Sequence, residues 1–228
     1  MIPTKTLTDE FEFTKYESRE EWLEARKSFI GGSDAACILG LNPWKNNQQL
    51  WDEKMGNIEP SDVGDNPLVL YGTRAEEYLR ELFALDFPQY AVFHDDFAIY
   101  VNPKYPWAHA SLDGWLVEKQ AQGLVRGILE IKTATIGSAA QKAKWENGIP
   151  QNYYCQVLHY FMVTGFDFAV LKAQLKYENN GEVFLQTKHY RINRSEVRED
   201  IEYLIEKERD FAEHIKNGTA PALILPEI

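Results

Sequence analysis

The middle of the chain carries three consecutive runs rich in β-branched and aromatic residues, and this block most constrains the possible fold. The runs read AVFHDDFAIYV from Ala91, HASLDGWLVE from His109 and VRGILEIKT from Val125, with proline or glycine turns between them. Such runs are typical of β-strands. We therefore predict consecutive strands of one sheet, which a chain of 228 residues is long enough to bury.

Helical patterns lie on both sides of this strand block. Ser18 and Glu21 form a capping-box pattern that begins a helix ending near Lys27 or Ser28. A Gly-Gly pair then precedes a short helix predicted over residues 35–39. Further predicted helices cover residues 48–55, 68–83, 138–146, 151–163 and 196–216, and further strands cover 168–177 and 183–192. We predict one α/β domain over residues 1–228, with residues 1–16 as an N-terminal arm, a mixed sheet flanked by helices, and a C-terminal helix within 194–218.

The composition limits the possible classes of function. The chain has 24 basic and 35 acidic residues, a formal net charge of -11, and its average field therefore repels nucleic acid. Binding to DNA would require that acids hold metal and that basic residues gather on one surface. The sequence contains no signal-peptide pattern and no apolar run near the roughly 20 residues that span a bilayer, so we expect a cytoplasmic protein without a membrane partner. Cys37 and Cys155 stand singly, which predicts buried thiols.

Two neighbouring strands of the block can bring charged side chains together. Side chains alternate along a strand, so Glu130 and Lys132 project from one face and the aliphatic residues beside them from the other. If the two strands form a hairpin around the polar turn at 118–123, Asp113 lies beside Glu130. This arrangement would place two carboxylates and one ammonium at a single position.

Such a cluster suits the hydrolysis of a phosphodiester. Oxygen ligands hold Mg²⁺, which polarises the phosphate and lowers the pKa of a bound water, and the backbone carbonyl of Ile131 is a further ligand. Lys132 would orient or deprotonate that water, with a pKa lowered by burial and by the metal. The Glu-x-Lys pattern also occurs as solvated charge on exposed strands, so the pattern alone leaves both interpretations open.

Two helical patterns add to this cluster. Gln156 and Tyr160, spaced i and i+4, share a helix face with Tyr153. Upstream, Glu76 stands four residues after Gly72 on a predicted helix, from which it could reach a metal. Taken singly, the first pattern also fits a half-buried aromatic stripe and the second an exposed helix glutamate.

The joint order of these residues resembles the PD-(D/E)xK nucleases, in particular the RecB-like branch with its Gln-x-x-x-Tyr element. The segment RKSFIGGSDAACILGLNPW, followed by LW at 50–51, is similar to the opening of the YqaJ viral recombinase family, which includes lambda exonuclease. SLDG, LEIKT and YYCQVLHYFMVTG follow in the family's order. The similarity extends from about Trp22 to Gly165 and implies a single restriction-endonuclease-like domain.

The resemblance also implies a role for each matching residue. Asp113, Glu130, the Ile131 carbonyl and Glu76 would ligate two Mg²⁺ ions, for which Mn²⁺ could substitute. Lys132 would serve the attacking water, Gln156 would orient the water or a ligand, and Tyr160 would support Gln156.

A second group of matching residues would bind the DNA end. Arg26 and Ser33 match the family's pocket for the 5′-phosphate, and Ser111 matches a serine that contacts the DNA end. A guanidinium binds phosphate with two hydrogen bonds, and a helix N-terminus at Ser33 adds N–H donors. Leu112 departs from the family pattern, which often has proline before the catalytic aspartate, and this puts the local turn in doubt.

The function implied is an ATP-independent, Mg²⁺-dependent 5′-to-3′ exonuclease on linear double-stranded DNA with 5′-phosphorylated ends. It would leave 3′ overhangs for a phage single-strand annealing protein, act as a homotrimeric ring in a bacterial host, and be phage or prophage encoded. The absence of a GxxxxGK phosphate loop agrees with ATP independence. Two alternatives stay open: a related endonuclease or RecB-like nuclease with another DNA substrate, and a non-catalytic DNA-end-binding module.

The remaining histidines and tryptophans are expected to be structural. We assign no metal role to His94, His109 or His159. Trp44, Trp51 and Trp107 could stack on bases, although core packing is the preferred interpretation of a buried tryptophan.

Overall fold

In the computed structural model, which describes residues 11–60, 64–121 and 123–225, the strands form two sheets rather than one. In chain order they are β1 Glu12–Lys15, β2 Tyr90–Phe93, β3 Ala98–Val101, β4 His109–Ala110, β5 Gly114–Gln120, β6 Gly123–Ile136, β7 Phe168–Asn179 and β8 Glu182–Asn193. The larger sheet has the order β2-β5-β6-β7-β8, and the smaller one β1-β3-β4. Strands β6 and β7 are parallel and the other neighbours are antiparallel, so the larger sheet is mixed.

The prediction that the central runs belong to one sheet was wrong. The run from Ala91 divides into β2 and β3, which lie in different sheets, and Phe97 at the break has a positive φ of 53° that no regular strand allows. Asp95 holds this break in place because its carboxylate accepts hydrogen bonds from Tyr100 at 2.9 Å and from Trp115 at 3.1 Å. Pairing between distant segments decided this division, and strand composition alone does not report it.

The N-terminal arm was also predicted incorrectly in part. Residues 12–15 form β1, which pairs with β3, and the preceding Phe11 is buried against the rings of Tyr100 and Phe166. Residues 1–10 of the predicted arm lie outside the described residues.

The helices follow the predicted order with small changes at their ends. They are α1 Arg19–Lys27, α2 Gly32–Ile38, α3 Asn47–Lys54, α4 Pro67–Asp86, α5 Ala139–Glu146, α6 Gln151–Thr164 and α7 Arg198–Asn217. Ser18 caps α1 as predicted by accepting from the Glu21 N–H at 3.2 Å. Helix α2 begins at Gly32, earlier than expected, because the Asp34 carboxylate accepts a hydrogen bond of 3.0 Å from the Gly31 N–H. Residues 194–196 form a 3₁₀ turn before α7.

Helices cover both faces of the larger sheet, as predicted. On one face, a core from α2, α6 and α7 packs on residues of β5, β6 and β7. On the other, Leu79 and Phe83 of α4 pack against Leu129 and Ile131 of β6. Strand β6 therefore lies at the centre of the fold, with different neighbours on its two faces. In the described part of the chain, no helix is long and apolar enough to cross a membrane.

Candidate active site

The β5–β6 hairpin brings the two predicted carboxylates together. Gly114 pairs with Leu129 in the antiparallel register, so Asp113 immediately precedes β5 beside Glu130. The Asp113 carboxylate accepts a hydrogen bond of 2.7 Å from the Ile131 N–H. A side chain at Gly114 would place a Cβ only 3.1 Å from the Phe93 carbonyl, which explains the glycine after Asp113. The predicted hairpin is confirmed.

Glu130 and Lys132 share one face of β6, as the alternation predicted. The Lys132 Nζ lies 2.7 Å from Glu130 Oε1 and 5.1 Å from the centre of the Tyr153 ring. The Glu130 side chain is 0 % exposed, and its Oε2 has no hydrogen-bond partner. The alternative of solvated surface charge is therefore wrong for Glu130. Buried carboxylates are costly without full pairing, and they concentrate at functional sites for this reason.

Burial and, for Glu76 and Glu130, a neighbouring carboxylate raise the pKa values of this cluster. Burial, followed by the nearby Asp113 carboxylate, raises the pKa of Glu130 to about 8. Burial and Asp113 likewise raise the pKa of Glu76 to about 7. Burial raises the pKa of Asp113 as well, although Lys132 and the Ile131 N–H oppose the change. The three carboxyl groups therefore hold their protons more tightly than free acids do.

Without metal, the pKa of Lys132 is raised rather than lowered, and the expected lowering stays a prediction for the metal-bound site. Burial alone does lower it, but the Glu130 and Asp113 carboxylates outweigh burial and raise the pKa above its usual value. Two carboxylates within reach favour the charged ammonium. In this geometry Lys132 is a hydrogen-bond donor.

The donor set fits a hard divalent cation. Asp113 and Glu130 supply carboxylate oxygens, Glu130 Oε2 is buried without a partner, and Mg²⁺ prefers oxygen ligands. Within the described ranges, no group of three or more His, Cys, Asp or Glu side chains is arranged as a complete metal cage. A bound ion would therefore also need the Ile131 carbonyl, water or phosphate oxygens, as Mg²⁺ sites commonly do.

Helix α4 contributes Glu76 and a residue that the sequence analysis missed. Arg80 donates a hydrogen bond of 2.8 Å to the Asp113 carbonyl and lies 3.6 Å from Glu76 Oε1. Gly72 lets the helix approach β6, since a Cβ there would lie 3.1 Å from Thr133 Oγ1. The i, i+4 spacing of Glu76 and Arg80 was the signal that could have identified Arg80.

The predicted Gln-x-x-x-Tyr pair lies on the same side of β6 as Glu130. Gln156 donates a hydrogen bond of 2.9 Å to the Tyr160 hydroxyl, and both side chains are buried. Burial, together with the negative charges of Glu130 and Asp113, raises the pKa of Tyr160 well above its usual value. Gly32 packs on this pair, since a Cβ there would lie 2.6 Å from a Tyr160 ring carbon.

Arg26 at the end of α1 points toward this helix junction. Its Nε donates to His109 Nε2 at 3.3 Å, and its guanidinium lies 4.2 Å from the centre of the Trp22 ring. Burial, followed by the charge of Arg26, lowers the pKa of His109 to about 3, so the ring is neutral and accepts. Sequence reasoning did not identify this use of His109.

The two candidate serines differ in their surroundings. Ser33 is exposed in the first turn of α2. The hydroxyl of Ser111, two residues before Asp113, donates to the Ala98 carbonyl at 3.1 Å and so ties the approach to Asp113 to β3.

Other expectations had mixed outcomes. Cys37 and Cys155 are buried free thiols, as predicted. Trp44 is 74 % exposed, so core packing was the wrong interpretation for it, whereas Trp51 and Trp107 are partly buried against a core cluster. Two cavities of about 560 Å³ lie elsewhere in the fold: one is lined by Arg194, Arg198 and neighbouring residues, the other by the α5–α6 connection and β8.

Comparison with known proteins identifies the family and the fold of this chain. Residues 21–167 match the family described as the YqaJ-like viral recombinase domain. The uncharacterized protein YqaJ of Bacillus subtilis (strain 168) is 33% identical over 208 residues, which cover 90% of this chain and 59% of that protein. This chain therefore spans less than two thirds of that relative's length.

Two solved structures have a similar fold. An alkaline exonuclease (LHK-Exo) from Laribacter hongkongensis aligns with a TM-score of 0.58 and 16% identity, covering 87% of this chain and 95% of that chain. A phage related exonuclease from Haemophilus somnus 129PT aligns with a TM-score of 0.51 and 12% identity, covering 83% and 96%. At these identities the likeness shows the fold. The family match over residues 21–167 and the Bacillus relative together show that the chain belongs to the YqaJ-like viral recombinase family.

Proposed function

We propose that this chain is a divalent-metal-dependent exonuclease that degrades linear double-stranded DNA from a phosphorylated 5′ end. The observation that carries the proposal is the fully buried Glu130, held between Asp113 and Lys132 with one oxygen unpartnered. A fold under no functional constraint would replace such a carboxylate with an apolar residue at lower cost. Family membership and the alkaline exonuclease fold support the same activity.

Each residue of the cluster has a role in the proposed mechanism. Asp113, Glu130, the Ile131 carbonyl and Glu76 would hold Mg²⁺, with Mn²⁺ as a substitute. The metal would polarise the scissile phosphate and acidify its bound water. Lys132 donates from its ammonium and orients the attacking water.

The surrounding side chains keep this cluster in place. Gln156, fixed by Tyr160 at 2.9 Å, contributes an amide beside the carboxylates. Arg80 holds the backbone of Asp113 from the opposite side through its 2.8 Å hydrogen bond to the carbonyl.

The polarity of digestion follows from the proposed end-binding residues. The Arg26 guanidinium donates to the His109 ring, which packs on Gly31 at the start of α2, and Ser33 lies in the first turn of that helix. A terminal phosphate bound by this guanidinium and by the free N–H groups of the helix would place the first phosphodiester toward the carboxylates. Ser111 would contact the DNA end from the strand that leads to Asp113.

The biological setting belongs to the same proposal. A 3′ single strand left by the enzyme would be the substrate of a phage annealing protein in a bacterial host. A homotrimeric ring would keep the chain on DNA without ATP. Because each chain has a net charge of -11, the ring would have to gather its basic residues on the surface that faces the duplex.

Digestion of matched DNA substrates tests the proposal. Linear duplex with a 5′-phosphate, the same duplex with a 5′-hydroxyl, and a covalently closed circle are incubated with Mg²⁺ and, separately, with EDTA. We expect Mg²⁺-dependent digestion of the phosphorylated linear DNA and survival of the circle. Efficient cutting of the circle would instead identify an endonuclease, and binding without cutting would identify an end-binding module.

A further inference from the structure

A fully buried histidine–glutamate pair joins α6 to α7 behind the candidate site. His159 Nδ1 lies 2.6 Å from Glu208 Oε1, and both side chains are 0 % exposed. The second ring nitrogen, Nε2, lies 2.8 Å from the carbonyl oxygen of His109. Since a carbonyl can only accept, Nε2 carries a hydrogen. Burial alone lowers the pKa of His159, but the Glu208 carboxylate outweighs burial and raises it, which favours an imidazolium that donates to both partners.

His109 connects this pair to the proposed end-binding residues. Its backbone N–H donates to the Ile30 carbonyl at 3.0 Å, which holds the turn between α1 and α2. Its ring packs on Gly31, where a Cβ would lie 2.8 Å from the ring carbon Cε1. The same ring accepts the 3.3 Å hydrogen bond from Arg26. A shift of His109 would therefore displace both the guanidinium and the start of α2.

We infer that Glu208 and His159 are positioning residues that hold His109, and through it Arg26 and the Gly31 turn, in the geometry that binds a DNA 5′-phosphate. The inference rests on the proposed function, because it assumes that Arg26 contacts the phosphate. His159 lies within residues 21–167, which match the family, whereas Glu208 lies beyond them on α7. The C-terminal helix thus adds an end-recognition element to the family domain.

A double substitution separates positioning from stability. His159→Phe with Glu208→Met replaces the buried pair by apolar groups of similar volume, a change that is often neutral for folding. Hydrogen bonding to His109 is lost. We expect the ratio of kcat/KM for 5′-phosphorylated over 5′-hydroxyl duplex to fall about ten- to a hundred-fold, since a displacement near 1 Å can have such an effect. The loss should arise in KM for phosphorylated ends, with kcat retained.

Two further variants provide controls. Glu208→Gln keeps both hydrogen bonds, because its amide donates to Nδ1 of a neutral His159, and it should retain the preference. Tyr154→Phe removes another hydrogen bond between α6 and α7, the 2.6 Å contact with Asp200, without touching His109. It should leave the preference unchanged. An equal fall of activity on both substrates in the double variant would contradict positioning.

Arg26→Ala distinguishes failure of this inference from failure of the proposed function. If Arg26→Ala loses the phosphate preference and the double variant keeps it, the positioning role is overturned and the phosphate pocket stands. If Arg26→Ala keeps the preference, the pocket and the positioning role both fail. Should the double variant not fold, Glu208→Asp shortens the carboxylate by one methylene. A several-fold loss of preference then supports the inference, and no loss overturns it.

Discussion

Glu130 and Glu208 are both fully buried glutamates, yet their surroundings differ. Glu208 faces one imidazole 2.6 Å away on a packed helix, and that histidine is itself bonded to the backbone of His109. Glu130 faces one ammonium at 2.7 Å, but burial, followed by the nearby Asp113 carboxylate, raises its pKa to about 8. Each glutamate has a buried Oε2 without a hydrogen-bond partner. The charge of Glu208 is balanced by one imidazole, whereas Glu130 shares the single ammonium of Lys132 with a second buried carboxylate, Asp113.

The difference shows what burial of a charge is used for in each region. A balanced pair between helices holds the backbone in place, and removing one member leaves an uncompensated charge. A cluster with unbalanced acids is unfavourable until a cation arrives, which is the property expected of a metal-binding site. His159 of the buried pair lies about one helix turn from Gln156 of the candidate site. Helix α6 therefore contributes to both regions.

Loss of activity on removing a cluster residue is the largest expected effect. Lys132→Ala and Asp113→Ala should reduce exonuclease rates by about 100-fold or more, because they remove the water-orienting donor or a metal ligand. Single-turnover digestion of phosphorylated linear duplex measures the loss, and circular dichroism confirms that each variant is folded. Activity equal to that of the unmodified protein in both variants would refute the assigned site.

Loss of one partner of the balanced pair should mainly affect stability. Glu208→Ala leaves a buried imidazole without its carboxylate and should lower the free energy of unfolding by about 3–5 kcal/mol. Urea denaturation followed by tryptophan fluorescence measures the change. A cost below about 1 kcal/mol would show that the pair is not balanced as described.

The unbalanced acid should make stability depend on pH in the absence of metal. Glu130 has a pKa of about 8 in the folded chain against 4.5 ordinarily, so the folded state binds its proton more tightly. In EDTA, the contribution of Glu130 to the free energy of unfolding should therefore be fully present below about pH 4.5 and be lost, by a few kcal/mol, as the pH rises to about 8.

The variant Glu130→Gln tests the origin of that pH dependence. The amide does not ionise, so the slope should become flatter, although Asp113 and Glu76 still contribute because their pKa values are also raised. Thermal melts over the same pH range measure both slopes. Identical slopes would exclude Glu130 as their source.

The smallest expected effect concerns an ordinary hydrogen bond between the same two helices as the balanced pair. Tyr154→Phe removes the 2.6 Å contact with Asp200 and should cost only about 1 kcal/mol, because both groups can return to water. Denaturant midpoints compared with those of Glu208→Ala make the contrast quantitative. A cost as large as that of Glu208→Ala would mean that any contact between α6 and α7 matters equally.

Periodic patterns in the sequence predicted most helices and strands. The errors concern features that depend on contacts between distant residues. The alternation along Leu129 to Lys132 gave the correct faces, and the Ser18 cap marked the start of α1. Assignment of the strands to sheets failed because pairing joins residues far apart in the chain, such as Glu12 with Val101. Trp44 was wrongly placed because an aromatic residue in a loop carries no periodic signal of burial.

For the candidate site, spacing identified single residues, whereas partners depended on folding. Gln156 and Tyr160 are neighbours on any α-helix, so their hydrogen bond could be anticipated. The contacts of Arg26 with His109, and of His159 with Glu208, span 83 and 49 positions. No rule based on local spacing predicts them.

The sequence alone determined the family, the helical and strand segments, and the presence of Asp113, Glu130 and Lys132 on a hairpin, because these follow from residue order and short-range geometry. Only the tertiary structure decided that Glu130 is fully buried and that acids crowd it. It also decided that a buried pair supports His109 behind Arg26. Burial and electrostatic coupling depend on every element that packs around a side chain, and a sequence contains that information only through the completed fold.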